Sequence, residues 1–247
     1  MATASIRPIK DADDTLLRFM VAKANMSQLA AANRRAYYHP LVVAVWFGLS
    51  CVFVEYMHWW PKPQHGFIGY LTPFPAFASV LVPIMFAIDW VNRPYFEKLT
   101  QDALRAPDMK QNIVSYYSRS PASGFWIVDY DEGFVGLVAI DASTNPLDPT
   151  TSPTAVIRHF FVQDPYPASG IQDDLLSHAI HHCFNADSGI VQRIEADDSP
   201  LVRYVQTSLK EAGFVLERHT QTVGAFRWKL GLRSLRRDVW HGRKRTL

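Results

Sequence analysis

Polar and apolar positions divide the chain into three regimes. In the first, a short alternating stretch from Ser5 to Ile9 reads as a strand, followed by an Asp-rich loop in which Asp13 or Asp14 can cap the next helix. That helix carries Leu16, Leu17, Met20 and Ala24 on one face and continues through the strong helix formers of Leu29 to Ala32. Pro40 marks a break or a new start. In the second regime, no residue from Ala36 to Val54, or from Gly66 to Ile88, is formally charged. Each run approaches or exceeds the roughly 20 residues that cross a bilayer's hydrocarbon core. Tyr56, Trp59, Trp60, Tyr70 and Trp90 stand near the ends, where interfacial aromatics belong. The alternative is a buried helical hairpin in a soluble core. Pro73, Pro75 and Pro83 predict kinks, or a wedge-like and partly re-entrant hairpin.

In the third regime the soluble pattern returns. A helix is predicted from Asn92 to Tyr117, with Tyr95, Phe96, Leu99, Ala103 and Leu104 apolar and Pro107 as a stop. Phe125 to Tyr130 and Phe134 to Ile140 read as strands joined by Asp131, Glu132 and Gly133. The Thr-, Pro- and Asn-rich stretch from Ser143 to Thr154 reads as a mobile loop. The stretch from Ala155 to Phe184 then reads as a strand, a Pro-rich turn and a helix opening at Ser169-Gly170. Gly189 to Ala196 forms another strand, Pro200 to Ala212 a helix ended by Gly213, and Phe214 to Arg218 with Val223 to Leu230 a closing hairpin. The expectation is an α/β domain over 1–35 and 91–230, a transmembrane helical hairpin inserted over 36–90, and a basic C-terminal tail over 231–247.

The net charge of +2 is too small to propose nucleic acid as a partner. Charge is concentrated instead: Lys229, Arg233, Arg236, Arg237, Arg243, Lys244 and Arg245 face the single Asp238 in the last stretch, read as a solvated tail or a contact with anionic lipid or a sorting receptor. Arg34 and Arg35 precede the hairpin, Arg93 and Lys98 follow it, and Lys62 lies in its turn, which predicts both termini in the cytosol. Glu55 is close enough to the far end of its span to reach the headgroups. Cys51 and Cys183 give no disulfide framework and fit a reducing compartment. The first ten residues have no apolar stretch behind a basic start, so no cleaved signal peptide is expected.

The strand, tight turn and helix start around Gly170 make a site for an anion, because a helix's first amides have no internal partner. With the element order above, IRPIKDADD, GFWIVDYDEGFVGLVAI and SLKEAGFVLE resemble the first strand, the second and third strands, and the last helix of the GNAT N-acetyltransferase fold, a mixed central sheet flanked by helices. The apolar hairpin is similar to that of membrane-bound N-acetyltransferases of the endoplasmic reticulum. More closely, GLSCVFVEYMHWWPKP, SPASGFWIVDYDEGFVGL and SGIQDDLLSHA resemble a fungal family named for an endoplasmic-reticulum factor that packages the inorganic phosphate transporter. That resemblance implies a domain on the cytosolic face of the reticulum membrane, whose partners are the lipid bilayer, a polytopic phosphate transporter and export machinery.

The GNAT resemblance also implies an acetyl-CoA site. Strand amides near Phe161 and Val162 would hold the pantetheine arm, and the turn of Ser169, Gly170, Ile171 and Gln172 the pyrophosphate. The family's loop carries Arg or Gln, then Gly, then Gly or Ala; the matching positions here are Pro167, Gly170 and Gln172. Pro167 offers neither side-chain donor nor amide hydrogen. Ser169 and Gln172 are spaced as a capping box that would satisfy the turn's own amides, and Asp173 and Asp174 in the first turn repel phosphate. The family's general-acid tyrosine matches Leu209, and Tyr204 is more than a turn earlier. These departures predict a degenerate transferase fold that requires no cofactor, and the resemblance to the fungal family implies that it serves in trafficking. The alternative is a membrane-bound N-acetyltransferase that uses acetyl-CoA.

Among residues able to move protons, His159 alternates with Ile157 and Phe161 and is read as a general base facing an acceptor cleft, against a core histidine satisfied by a carbonyl. Glu195 and Asp197, at the end of the next strand, could do the same work or bind an amine, against ordinary solvated carboxylates. His178, His181 and His182 lack the third ligand and second shell of a zinc site, so no metal is expected. No phosphate-binding Gly-Lys-Ser/Thr loop or nucleophile elbow is present.

Overall fold

The computed structural model describes residues 4–61, 63–131, 133–145, 148–186 and 190–244. Expectations placed on Lys62, Glu132, Gly189 and Arg245 lie outside the described residues, as do those on the side chains of Pro167, Arg243 and Lys244. Strand β1 (Ala4–Pro8) leads into helices α1 (Asp14–Tyr37), α2 (Pro40–Tyr56), α3 (Phe74–Arg105), α4 (Pro107–Lys110) and α5 (Ile113–Tyr117). Strands β2 (Gly124–Tyr130), β3 (Gly133–Asn145) and β4 (Asp148–Val162) follow, then α6 (Ile171–Asn185), β5 (Arg193–Asp198) and α7 (Arg203–Ala212). The described chain closes with β6 (Val215–Val223), β7 (Trp228–Arg236) and α8 (Arg237–Lys244).

The seven strands form one sheet in the order β1-β2-β3-β4-β5-β7-β6, antiparallel except for the β4–β5 pair. Most of the stretch expected as a loop after Ser143 is strand: Ser143 pairs with Thr151 and Asn145 with Asp148. Pairing along a long hairpin overrides the weak strand preference of Thr, Pro and Asn. The segment read as a basic tail also begins inside the sheet. Residues 231–236 pair with β5, and buried Arg233 donates from Nε to Asp198 Oδ2 at 2.8 Å. Arg237 then donates to the carbonyls of Phe184 and Val191, so α8 starts against the domain.

Alternation along the strands loads both faces. Val128, Val138 and Ile140 meet Leu176, Ile180 and Leu209 from α6 and α7, while Ile127, Leu137 and Ala139 meet Leu17, Met109 and Ile113 from α1, α4 and α5. In β4 the alternation is broken. Ala139 pairs with His159 but Ile140 with Ile157, so an extra residue enters at Arg158. Ile157 therefore packs with the α6–α7 side, whereas Phe161 joins the α1–α5 side and His159 stacks on Phe125 there. The regular alternation of Ile157, His159 and Phe161 expected from sequence is corrected by this bulge.

At the chain's start, Asp13 does not cap α1. Its carboxylate accepts from the Lys10 amide at 2.9 Å and from Arg7 at 2.7 Å instead. Between α1 and α2 the path turns through 60°, with Pro40 in the first turn of α2 and His39 Nδ1 accepting from the Leu41 amide. Helix α3 is one element with Pro83 and Pro94 inside it. The run Gly69–Arg105 is long and apolar enough to cross a membrane, and the bent pair α1–α2 supplies a second if taken as one span. Helices α2 and α3 meet where Trp46 and Phe47 pack on Phe77, with Trp46 Nε1 donating to the Phe77 carbonyl at 3.0 Å, and Ser50, Val54 and Ala76 are buried. Their outer faces leave Leu41, Val45, Val52, Phe86 and Trp90 exposed.

A polar lock holds the root of this hairpin. Fully buried Asn92 donates to Asn33 Oδ1 at 2.9 Å and accepts from the Ala225 amide at 2.9 Å, while Asn33 donates to Asp89 at 2.7 Å. The lock joins α1, α3 and the β6–β7 turn, the elements that wall the site described next.

Candidate active site

The last parallel pair is Ile157 with Ala196; beyond it β4 and β5 part. The gap opens into a cavity of about 370 Å³, walled by α1, α3, α7 and β6–β7 and reached by His159, Arg158 and Asp197 from the strand ends. His159 Nε2 donates to Asp108 Oδ2 at 2.7 Å, and the same oxygen accepts from the Tyr117 hydroxyl at 2.8 Å. Asp108 is buried. Burial alone would push its carboxyl up, but His159, Tyr117 and Arg158 outweigh that and hold it below the usual carboxylate range. Burial, reinforced by Asp108, pushes the Tyr117 hydroxyl well above its ordinary value. An ionised Asp108 fixes a proton on Nε2 and leaves Nδ1, which has no partner among the described residues, as the base.

A parallel set lies beside it. Buried Asp141 accepts from Tyr116 at 2.9 Å and from Arg158 at 3.2 Å. The strand-end carboxylates separate. Glu195 pairs with Arg193 at 2.8 Å and does not line the cavity, so the structure does not bring it to His159. Asp197 does line the cavity. It keeps an exposed surface, yet protein crowds its carboxyl, and that burial pushes it up; Arg158 opposes the shift and Glu195 adds to it.

A second opening lies between α6 and α7, with Gly170 and Gln172 on one side and Arg203, Thr207 and Glu211 on the other. Gly170 sits at φ 79°, ψ 0°, a left-handed conformation that glycine adopts without strain. The capping box expected of Ser169 and Gln172 does not form. Ser169 Oγ donates to the Tyr166 carbonyl at 2.6 Å, because the left-handed turn at Gly170 follows it and no side chain caps α6. Gln172 Nε2 donates to Asp173 at 3.3 Å, and its Oε1 is buried without a partner. The Asp173 and Asp174 amides turn back to the Gly170 carbonyl, while those of Ile171 and Gln172 meet no acceptor among the described residues. The turn is therefore left open, which overturns the expectation that it satisfies itself.

Tyr204 borders both openings. Its hydroxyl accepts from the Val162 amide at 3.1 Å, one of the strand amides expected to meet a pantetheine arm. Burial pushes that hydroxyl up to about 12. Leu209, more than a turn on, is buried in the apolar core. Of the metal candidates, His178 and His182 stand edge-on to Trp126, and His182 bonds the Ser123 carbonyl at 3.2 Å. No cluster of three metal-binding side chains occurs among the described residues.

Sequence reasoning missed Asp108, Tyr117 and the Arg158–Asp141 pair. Asp108 follows Pro107, which reads from sequence as a helix stop, and nothing local ties it to His159, 51 residues on.

No protein-family model and no curated protein matches the chain. Among solved structures, the chain is similar to the ribosomal-protein-S5-alanine acetyltransferase from Vibrio fischeri, at 16% identity over 97% of this chain and 98% of that one, with a TM-score of 0.46. It is similar to RimJ from Mycobacterium smegmatis, solved with CoA-disulfide, at 18% identity over 95% and 82% and a TM-score of 0.43. A GNAT-family acetyltransferase from Streptococcus pneumoniae aligns over 50% and 72% at 15% identity, with a TM-score of 0.43. On its own strand order, with the parallel β4–β5 pair splayed beside a bulge and helices on both faces, the chain has a GNAT-like mixed α/β fold.

Proposed function

We propose that this chain is a membrane-anchored N-acetyltransferase that draws on acetyl-CoA. The observation that carries this reading is the meeting of the two openings at Tyr204, with helix amides that meet no acceptor among the described residues on one side and a His–Asp pair on the other. The fit to acetyl-CoA rests on the groove: the Ile171 and Gln172 amides suit an anion, and the buried Gln172 Oε1 suits a ligand N–H. When bound, the group supplies an acetyl thioester. Gly170, Ile171 and Gln172 would hold its phosphates, and the Val162 amide, which the Tyr204 hydroxyl takes in this structure, would face its arm; the Phe161 amide instead turns into the pairing with β3. His159, oriented by Asp108, takes the acceptor's proton at Nδ1. Burial holds the Tyr204 hydroxyl above an ordinary thiol, which disfavours it as the donor of a proton to the departing thiolate.

The hairpin is the anchor. Helix α2 has 17 residues, about 25 Å of rise, and α3 presents a similar apolar length before Asp89. That is close to the roughly 30 Å hydrocarbon thickness, and exposed apolar side chains cover both outer faces. The flanking arginines favour a cytosolic domain. Placement in the endoplasmic reticulum rests on the family resemblance alone.

Calorimetric titration of acetyl-CoA into the detergent-solubilised protein should give micromolar binding that Gly170→Glu abolishes, and His159→Phe should remove transfer while leaving binding intact. No binding to the wild-type chain overturns the reading. A second reading, a packaging factor for a phosphate transporter that requires no cofactor, is favoured by the Tyr204 hydroxyl already holding the Val162 amide. In that case cells carrying only the His159→Phe protein deliver the transporter normally, whereas cells lacking the protein retain it in the reticulum.

A further inference from the structure

The charges around the cavity are unequally matched. Asp108 is taken by His159 and Tyr117, and Asp198 by Arg233 at 2.8 Å and by Gln206 at 3.1 Å. Arg158 rests on Asp141. Asp197 alone among the cavity's carboxylates has no hydrogen bond or ion pair among the described residues. The remaining wall is mixed: Val21 and Ala24 from α1, Leu99 and Ala103 from α3, Val205 from α7 and Leu230 from β7 form its apolar part, and Asn25, Gln28, Thr220 and Gln221 add uncharged polar groups.

We infer that the cavity selects a monoamine: one primary ammonium seated on Asp197, carried on a compact apolar body that fills the space between α1, α3 and β7. The inference rests on the transferase reading only in calling this molecule the acceptor. Three physical points favour it. An ammonium supplies the directly bonded partner that Asp197 lacks among the described residues, beyond the more distant pull of Arg158, and crowding of the carboxyl makes that partner worth more than it would be in water. A polyamine needs a carboxylate for each ammonium, and its second charge would meet the Arg158 guanidinium, because the other acids are engaged. A carboxylate-bearing acceptor would be repelled by Asp197 itself. At about 370 Å³ the cavity also lies near the lower end of small-molecule sites, suiting one aliphatic side chain and its neighbouring amide better than a long charged chain.

Binding can be measured without any thioester. Leucinamide, N-acetyl-leucinamide and spermidine are titrated calorimetrically into the full-length protein in detergent at neutral pH. Leucinamide is expected to bind at least tenfold tighter than either of the others. Asp197→Asn should weaken leucinamide at least tenfold, and Asp197→Glu should retain most of its affinity. The wild-type comparison needs no variant, so a folding defect cannot mask the answer. Spermidine or the acetylated probe binding as well as leucinamide, or no leucinamide binding at all, overturns the inference. Leucinamide binding with no acetyl-CoA binding leaves the inference standing while the transferase reading falls, and the reverse result does the opposite.

Discussion

The two openings that meet at Tyr204 are finished to different degrees. On the cavity side the buried acids are already answered: Asp108 by His159 and Tyr117, Asp141 by Tyr116 and Arg158, at 2.7 to 3.2 Å. On the groove side two helix amides and the buried Gln172 Oε1 are left without partners among the described residues. Groups that move protons need fixed geometry before a ligand arrives, so their contacts belong to the folded state. Donors that grip an anion must stay open, so their contacts belong to the complex. Changes on the cavity side should therefore cost folding stability and chemistry together, and changes on the groove side should cost ligand affinity with little loss of stability.

The largest effect is expected at Asp108. Asp108→Ala leaves a buried Tyr117 hydroxyl and the His159 ring without their acceptor, a loss of about 3 kcal/mol. It also frees the imidazole to change tautomer, which should lower the transfer rate about 10²- to 10⁴-fold. Acid provides the control. The Asp108 carboxyl is held below its ordinary 3.8, so its contribution is complete above that value and disappears as the pH falls through the folded-state value. Urea midpoints of wild type and Asp108→Asn should differ at pH 7 and converge in the acid range below about 3.8. A gap that does not depend on pH would mean that the ionised Asp108 carboxylate is not what stabilises this side.

The contrast between the openings explains what could be read from sequence. Most strands, the two apolar helices and the end of α7 were legible because each rests on a local signal: alternation, charge-free runs, Gly213; the single helix expected from Asn92 to Tyr117 was not, being the end of α3 followed by α4 and α5. The pairing of His159 with Asp108 was not legible either, because nothing local ties the two residues, 51 apart in the chain. The Ser169–Gln172 spacing gave a false positive. It satisfies the capping-box pattern, but the left-handed turn at Gly170 stands between the two residues, and neither side chain turns back to the helix amides. The stretch after Leu230 misled through composition, because the arginines that suggested a free tail include Arg233, which is buried on Asp198.

A sharper test of the groove is Ile171→Pro. Ile171 is the first residue of α6, and its amide meets no acceptor among the described residues. Proline is favoured at that position and removes no helix bond, but its Cδ crowds the Gly170 backbone at ψ 0°, so the turn must shift as the open donor is deleted. The partly buried isoleucine side chain gives up some packing, about 1 kcal/mol. Loss of one hydrogen bond to a charged group should weaken acetyl-CoA by about 1.5 to 3 kcal/mol, or roughly 10- to 100-fold, as calorimetry would show. If affinity is unchanged while the melting temperature collapses, the groove is as pre-paired as the cavity and the distinction fails.

The smallest change tests the boundary itself. Tyr204→Phe removes the hydroxyl that holds the Val162 amide and keeps the ring that separates the two openings. Its hydrogen bond is worth about 1 kcal/mol to the folded protein, so thermal stability should fall slightly. The freed amide becomes available to a ligand that no longer has to displace the hydroxyl, so acetyl-CoA should bind severalfold tighter. Opposite signs in stability and affinity are the signature of an internal group standing in for a ligand. Were affinity to fall along with stability, the hydroxyl would be contacting the ligand in the complex, and Tyr204 would belong with the open donors of the groove and not with the paired groups of the cavity.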